Sequence, residues 1–345
     1  MLNARIAVTA TIAGLLCLGA VVISASNMFN HDHERSNAHT SKEEHQRQAL
    51  IAPVPYPNRV DFPLIKAGWA LFNDPNLSSN KAISCATCHN LSTNGAQDTP
   101  VSKGVAGVGK RNSPTVFNVS LNYRFFWDGR TNSLSKQMDG PIHTPAEMDS
   151  SWQAILAYVT SSSRYQSLFS AAQHPITIET IKHAIVTFQE QLLTPNSPFD
   201  RYLLGDERAI SPLAQNGWKT FQNMGCINCH QGVNIGGSMM QRFGYYGNTA
   251  AHSGLNVDTG RHQFTKKDID KHLFRVPSLR NVANTPPYFH NGSENRLEEA
   301  IKVMADVQLG MTLEPETIDE LMAFLHALSA PRPSILEELE REQIY

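Results

Sequence analysis

Apolar residues recur at helical spacing in six stretches of the chain: Leu64–Phe72, Trp152–Val159, Ile178–Leu193, Pro212–Phe221, Leu297–Met304 and Pro315–Leu328. In the last of these, Ile318, Leu321, Met322, Leu325 and Leu328 fall on one helix face, the signature of a helix packed against a core. Gly- and Asn-rich stretches separate the segments, and little of the sequence alternates as a strand would. The pattern predicts an all-α fold. With 345 residues there is enough chain for two domains with a core each. We place them at 53–205 and 206–331, followed by a tail at 332–345.

The N-terminus reads differently. Ile6–Ala25 carries no charge and follows Arg5, as a signal peptide or a membrane anchor would. Its length exceeds the roughly 7–15 apolar residues of a cleaved signal and approaches a span. The small residues Ser24-Ala25-Ser26 would nonetheless suit cleavage, so 1–29 is either a signal peptide or an anchor through residues 6–25. Residues 30–52 form a polar linker with His31, His33, His39 and His45 among charges, which reads as a solvated tether. Either fate of 1–29 exports the body, so the expected location is periplasmic, soluble or anchored to the inner membrane. The net charge of −2, with no basic run, argues against nucleic-acid binding.

Candidate chemistry is concentrated in two copies of Cys-x-x-Cys-His, Cys85–His89 and Cys226–His230. Each reads as a covalent c-type haem site, with two thioether bonds and an adjacent histidine on the iron. Zinc ribbons space their Cys pairs about 15–20 residues apart, far closer than these. The fifth cysteine, Cys17, lies in the targeting segment.

The two motifs sit in a repeated frame. Gly68-Trp69-Ala70-Leu71-Phe72 precedes the first and Gly217-Trp218-Lys219-Thr220-Phe221 the second. After them, Pro114-Thr115-Val116-Phe117-Asn118-Val119 matches Pro277-Ser278-Leu279-Arg280-Asn281-Val282, and Phe126-Trp127-Asp128-Gly129 matches Phe289-His290-Asn291-Gly292 without a gap. The same register pairs Met304 with Pro141. A thioether at Met304 can close the second haem as His/Met, which raises its reduction potential. Proline offers no donor, so the first haem should be open. His290 is the rival axial ligand for the second iron, and Trp127 takes its place in the first copy.

The strings Ser84–Asn90, Phe126–Arg130, Ser197–Leu203, Pro287–Gly292 and Val303-Met304 with Gln308-Leu309-Gly310 resemble the bacterial di-haem cytochrome c peroxidase family, over nearly all of Pro53–Leu328. The resemblance implies two cytochrome-c-like domains and reduction of hydrogen peroxide at the first haem. Electrons would reach the second haem from a small c-type cytochrome or cupredoxin. It implies His89 as proximal ligand of the peroxidatic haem and His230 with Met304 on the other. It further implies Gln137 and Glu147 in the distal pocket, with Glu147 as acid/base, and Trp127 as the bridge between haems. Asn112, Thr285 and Pro287 match the family's calcium site, and family members are often homodimers. Splitting peroxide needs a proton moved from one oxygen to the other, which a carboxylate within reach can do.

One departure stands out. Many members carry a histidine in the loop after the first motif that caps the peroxidatic haem until the other is reduced. Here the loop reads Ser102–Lys110 with Val105 about where that residue would be, and no histidine occurs between Asn90 and Ile142. An enzyme needing no reductive activation is expected, with His143 the likeliest substitute cap if one exists. Two other functions compete. A MauG-type maturase, which oxidises a partner protein, also lacks the loop histidine but uses tyrosine where Met304 stands. A non-enzymatic di-haem electron carrier would need both irons closed.

Overall fold

The computed structural model describes residues 50–58, 61–247, 249, 252 and 254–342. The expected N-terminal helix at 6–25, Cys17 and nearly all of the linker lie outside the described residues. Among those described, no helix is long and apolar enough to cross a membrane.

Four helices and a returning fifth surround the first core. α1 (Phe62–Phe72) starts where the Asp61 carboxylate accepts the Leu64 N–H and Pro63 occupies the first turn. α2 (Trp152–Ser161), α3 (Ser163–Ala171) and α4 (Ile178–Glu190) follow, each preceded by Ser or Thr. Leu64, Leu71, Phe72, Ile155, Phe169, Ile181 and Phe188 are buried together. α5 (Pro198–Leu203) leads into the second half, where α6 (Pro212–Asn223), α7 (Leu297–Met304) and α8 (Pro315–Ala327) enclose Phe221, Ile301, Leu321 and Phe324.

The repeated glycines mark the tightest crossings. α1 packs on α4 and α6 packs on α8. A β-carbon at Gly68 would lie 1.9 Å from the Ala184 carbonyl, and one at Gly217 1.9 Å from that of Glu320. Only glycine allows the backbones this close. The repeat persists in the backbone itself. Asn118 and Asn281, Phe126 and Phe289, and Gly129 and Gly292 all adopt the left-handed conformation at matched positions.

Three features depart from the expected layout. The tail is a helix, α9 (Ser334–Glu342), that returns to the first core through Ile335, Leu336 and Leu339. Ile51, at the other end, packs into the second core. The fold is helix-rich rather than purely helical, because two small antiparallel ladders are present. One joins β1 (Lys103–Gly104) to β2 (Gly107–Val108), and the other joins β3 (Met240–Arg242) to β4 (Leu273–Arg275). The described residues from Ile51 onward form one compact unit. The halves are tied by a fully buried ion pair, Arg280–Asp200 at 2.7 Å, with Arg280 also donating to the carbonyls of Ala52 and Val233. Arg111 adds a second tie, reaching Asp128 at 2.7 Å and Asp258 at 2.6 Å.

Candidate haem sites

Each Cys-x-x-Cys-His motif forms a single helical turn after α1 or α6, which puts both sulfurs and the histidine on one side. His89 and His230 are held neutral, since burial pushes both down to about 4. A neutral imidazole keeps a lone pair for iron. His89 Nδ1 pairs with the Pro114 carbonyl at 3.0 Å, which leaves Nε2 as the metal-binding nitrogen. In the second half the matching carbonyl belongs to Pro277. The Ile235 and Pro277 backbones draw the His230 value upward against burial, although Nδ1 makes no described hydrogen bond.

The second motif opens on a cavity of about 530 Å³, inside the usual ligand-site range of about 300–1,000 Å³. Cys226, Cys229, His230 and Met304 all line it, among Phe221, Ile301, Leu321 and Leu325. It therefore holds a thiol pair, an imidazole and a thioether around apolar walls, as a covalent His/Met haem requires. Two deeply buried polar groups on its wall have no protein partner: Arg275 Nη1 and His290 Nε2. Arg275 is buried without a carboxylate, which lowers it to about 10. Such groups suit a ligand that carries acidic substituents, as haem does. His290 is stacked on Phe274 at 4.3 Å and flanked by Phe243 and Trp127.

The segment that the repeat aligns with α7 is built differently. α7 ends at Met304, whereas the matching segment of the first half is broken into Leu134–Gln137 and Asp139–His143. Pro141 explains the break, because it has no N–H to give the Gln137 carbonyl one turn earlier. Glu147 follows that break. It is half-buried, and burial raises its carboxyl above the usual range, with Arg130 pulling the other way. The Cys88 thiol is raised mainly by burial, and the Glu147 charge adds to that rise.

The β1–β2 hairpin holds this stretch. Val105 N–H donates to the Glu147 carbonyl at 2.8 Å, and Ala106 N–H to that of Pro145 at 2.9 Å. A β-carbon at Gly104 would come within 2.0 Å of the Ala146 carbonyl. Gln137 closes its short helix half-buried, and no described hydrogen bond joins it to Glu147 or His89. His143 is exposed.

Trp127 stands between the halves. Its indole N–H donates to the Asn112 carbonyl at 2.9 Å, and its own carbonyl accepts from Arg275 N–H at 2.7 Å. Its edge meets His290, its partner in the repeat, at 6.3 Å between ring centres. Asn112, Thr285 and Pro287 all line the same cavity. The Asn112 amide nitrogen faces the carbonyls of Thr99 and Pro100, which leaves its oxygen free to serve as a donor to a metal. The carbonyls of Thr285 and Pro287 accept no described hydrogen bond. A neutral, all-oxygen set completed by water fits calcium. Sequence reasoning assigned no role to Arg130, Arg275 or the hairpin contact with Glu147. The only advance signals were two arginines near the motif strings.

Two attachment motifs on a duplicated frame, one opening on a haem-sized apolar chamber, define a c-type protein with two haems. Comparison with known proteins makes this particular. The family profile "Di-haem cytochrome c peroxidase" matches residues 63–208. Cytochrome c551 peroxidase of Pseudomonas aeruginosa is 40% identical over 273 residues, covering 78% of this chain and 79% of that protein. Cytochrome c peroxidase Ccp of Escherichia coli is 38% identical over 82% of this chain, which spans 62% of that protein. Among solved structures, a MauG-like protein associated with microbial copper homeostasis matches with a TM-score of 0.69 and 25% identity, over 80% of this chain and 93% of that one. The chain belongs to the di-haem cytochrome c peroxidase family, and its cofactor is haem c.

Proposed function

We propose that this protein reduces hydrogen peroxide to water with electrons from a small c-type cytochrome or cupredoxin, and that it does so without reductive activation. The observation that carries this reading is the inequality of the two distal sides, Met304 against Pro141 at matched positions of one frame. Haem supplies the iron at which peroxide binds and the redox centre that takes up donor electrons.

The chain's own residues do the rest. His89, oriented through Pro114, and His230 would hold the two irons from the proximal side. Met304 would complete the second iron, supported by its place on the wall of the cavity that Cys226, Cys229 and His230 also line. Glu147, with its raised carboxyl, would take a proton from the nearer peroxide oxygen and return it to the leaving one, so that two electrons and two protons convert H2O2 into two waters. Gln137 would orient the peroxide by its amide. Trp127, bonded to both halves, would carry electrons between them, and calcium at Asn112, Thr285 and Pro287 would brace that junction. The loop hairpin, with no histidine to offer, is occupied in supporting Glu147. Covalent haem attachment outside the cytoplasm supports a periplasmic location.

A MauG-type maturase is the second reading, and Met304 in place of tyrosine speaks for the peroxidase. Stopped-flow mixing of the all-ferric protein with peroxide, then with reduced cytochrome c, tests the proposal. Immediate spectral change at the first haem followed by rapid cytochrome oxidation is expected. Protein that stays inert to peroxide until one haem is reduced would refute the absence of an activation step. Peroxide reaction without cytochrome oxidation would favour the maturase, and no reaction in either state the electron carrier.

A further inference from the structure

Met304 is followed at once by an irregular turn. Residues Ala305–Leu309 form a π-helical turn that Gly310 ends in the left-handed conformation. Such turns inserted in α-helices are rare and cluster at functional sites, because they break the regular hydrogen-bond register. Here a second segment, residues 242–247, engages the turn. Tyr246 and Gly247 both donate their N–H to the Val307 carbonyl, at 3.1 and 3.3 Å.

Gln308 adds a three-point clasp. Its Oε1 accepts the N–H groups of Gly244 at 3.0 Å and Tyr245 at 3.2 Å, while its Nε2 donates to the Arg242 carbonyl at 3.1 Å. One amide thereby satisfies two donors and one acceptor of a loop that, among the described residues, has no other backbone pairing at those groups. The approach is close. A β-carbon at Gly247 would lie 2.7 Å from the Asp306 carbonyl.

The same segment reaches the other side of the chamber. It leaves β3, where Gln241 Nε2 lies 3.7 Å from Cys229 Sγ, the sulfur that becomes a thioether in the haem-loaded protein. β3 is in turn paired with β4. Residues 240–247 therefore run as a strap from the haem-attachment side to the turn that carries Met304.

We propose that Gln308 is a positioning residue that holds the Met304 thioether over the second iron by locking the π turn to this strap. The proposal rests on Met304 being the axial ligand. Methionine is flexible and its thioether a weak donor, so ligation depends on the backbone presenting sulfur at the right place. Without the amide, three backbone groups lose their partner and the turn is free to regularise into α-helix, which would rotate Met304 away.

The test uses the haem-loaded full chain and its Gln308→Leu variant, with no activity assay. The readouts are the far-red sulfur-to-ferric-iron charge-transfer band and the midpoint potential of the second haem. In Gln308→Leu, the band should be lost on warming at temperatures where the parent keeps it, and the potential should shift downward, with haem content unchanged. Gln308→Glu keeps both acceptor bonds but sets a carboxylate oxygen against the Arg242 carbonyl, so it too should weaken the band and lower the potential, and it decides the matter if the Leu variant does not accumulate. A band and potential equal to the parent's in the variant would overturn the role of Gln308 alone. A parent protein lacking the band would instead overturn Met304 ligation, and this proposal with it.

Discussion

Replacing Glu147 with glutamine isolates the proposed proton transfer from everything else around the first motif. The substitution is nearly isosteric, and the contacts that hold this stretch come from its backbone, through Val105 and Ala106 N–H. The amide should therefore occupy the carboxylate's place while being unable to take up a proton. General acid–base catalysis contributes about 10²–10⁴-fold, and its efficiency rises as the group's pKa nears the working pH. Burial moves Glu147 in that direction, above its ordinary value of 4.5. We expect a loss of about 10³-fold in the second-order rate with peroxide, or about 4 kcal/mol of barrier. The assay is single-turnover stopped flow on all-ferric protein under excess peroxide, from acid to neutral pH. The parent's rate should rise with pH through the elevated carboxyl pKa, because only the ionised form accepts a proton, and this limb should vanish in Glu147→Gln. The raised value has a stability corollary of fixed sign. Glu147 stabilises the fold only while protonated, and this contribution is lost as pH rises through the folded-state value. At neutral pH the glutamine variant should thus be at least as stable as the parent. A rate loss under about tenfold, or an acid limb that survives the substitution, would refute Glu147 as the acid/base group.

Two further substitutions probe the supports. Asp200→Asn leaves the Arg280 guanidinium charged, almost fully buried and without its counter-ion, so denaturant unfolding should show a loss of about 3–5 kcal/mol; a change below about 1 kcal/mol would mean the carbonyl bonds to Ala52 and Val233 suffice. Gly104→Val drives a side chain against the Ala146 carbonyl and should lift the hairpin off the Glu147 stretch, slowing the ferric protein's reaction with peroxide at unchanged haem content; an unaltered rate would show that the hairpin does not position Glu147.

What the sequence made legible follows from how local each signal is. The six helices were readable because their burial stripes are helical in period, and the observed ends differ by only a few residues, as from Leu64–Phe72 to Phe62–Phe72. The haem motifs were readable because their chemistry is complete within five residues. α9 carries a signal of its own, since Ile335, Leu336 and Leu339 have core spacing, but only the fold reveals that they serve the first half. The β1–β2 hairpin has two residues per strand, too short for periodicity, and it exists by leaning on Pro145–Glu147. Arg111 with Asp258, and Gln308 with the strap, join positions far apart in the chain, so nothing local announces them.

The duplication explains why so few residues distinguish the two sites. Matched left-handed residues keep the backbone of both halves on one path, and repeat partners meet where the halves join: Trp127 touches His290, while Asn118 and Asn281 both donate to the Thr194 hydroxyl. On such a frame, divergence is carried by side chains. Trp127 against His290 gives the junction one indole facing one imidazole. Pro141 against Met304 acts twice, because proline removes a donor and also interrupts the helix that presents it. A methionine placed at 141 without restoring a continuous helix would not be delivered as Met304 is, and no Gln308-like clasp stands behind it. The first half thus differs from the second by the course of its backbone as well as by the residue at the matched position.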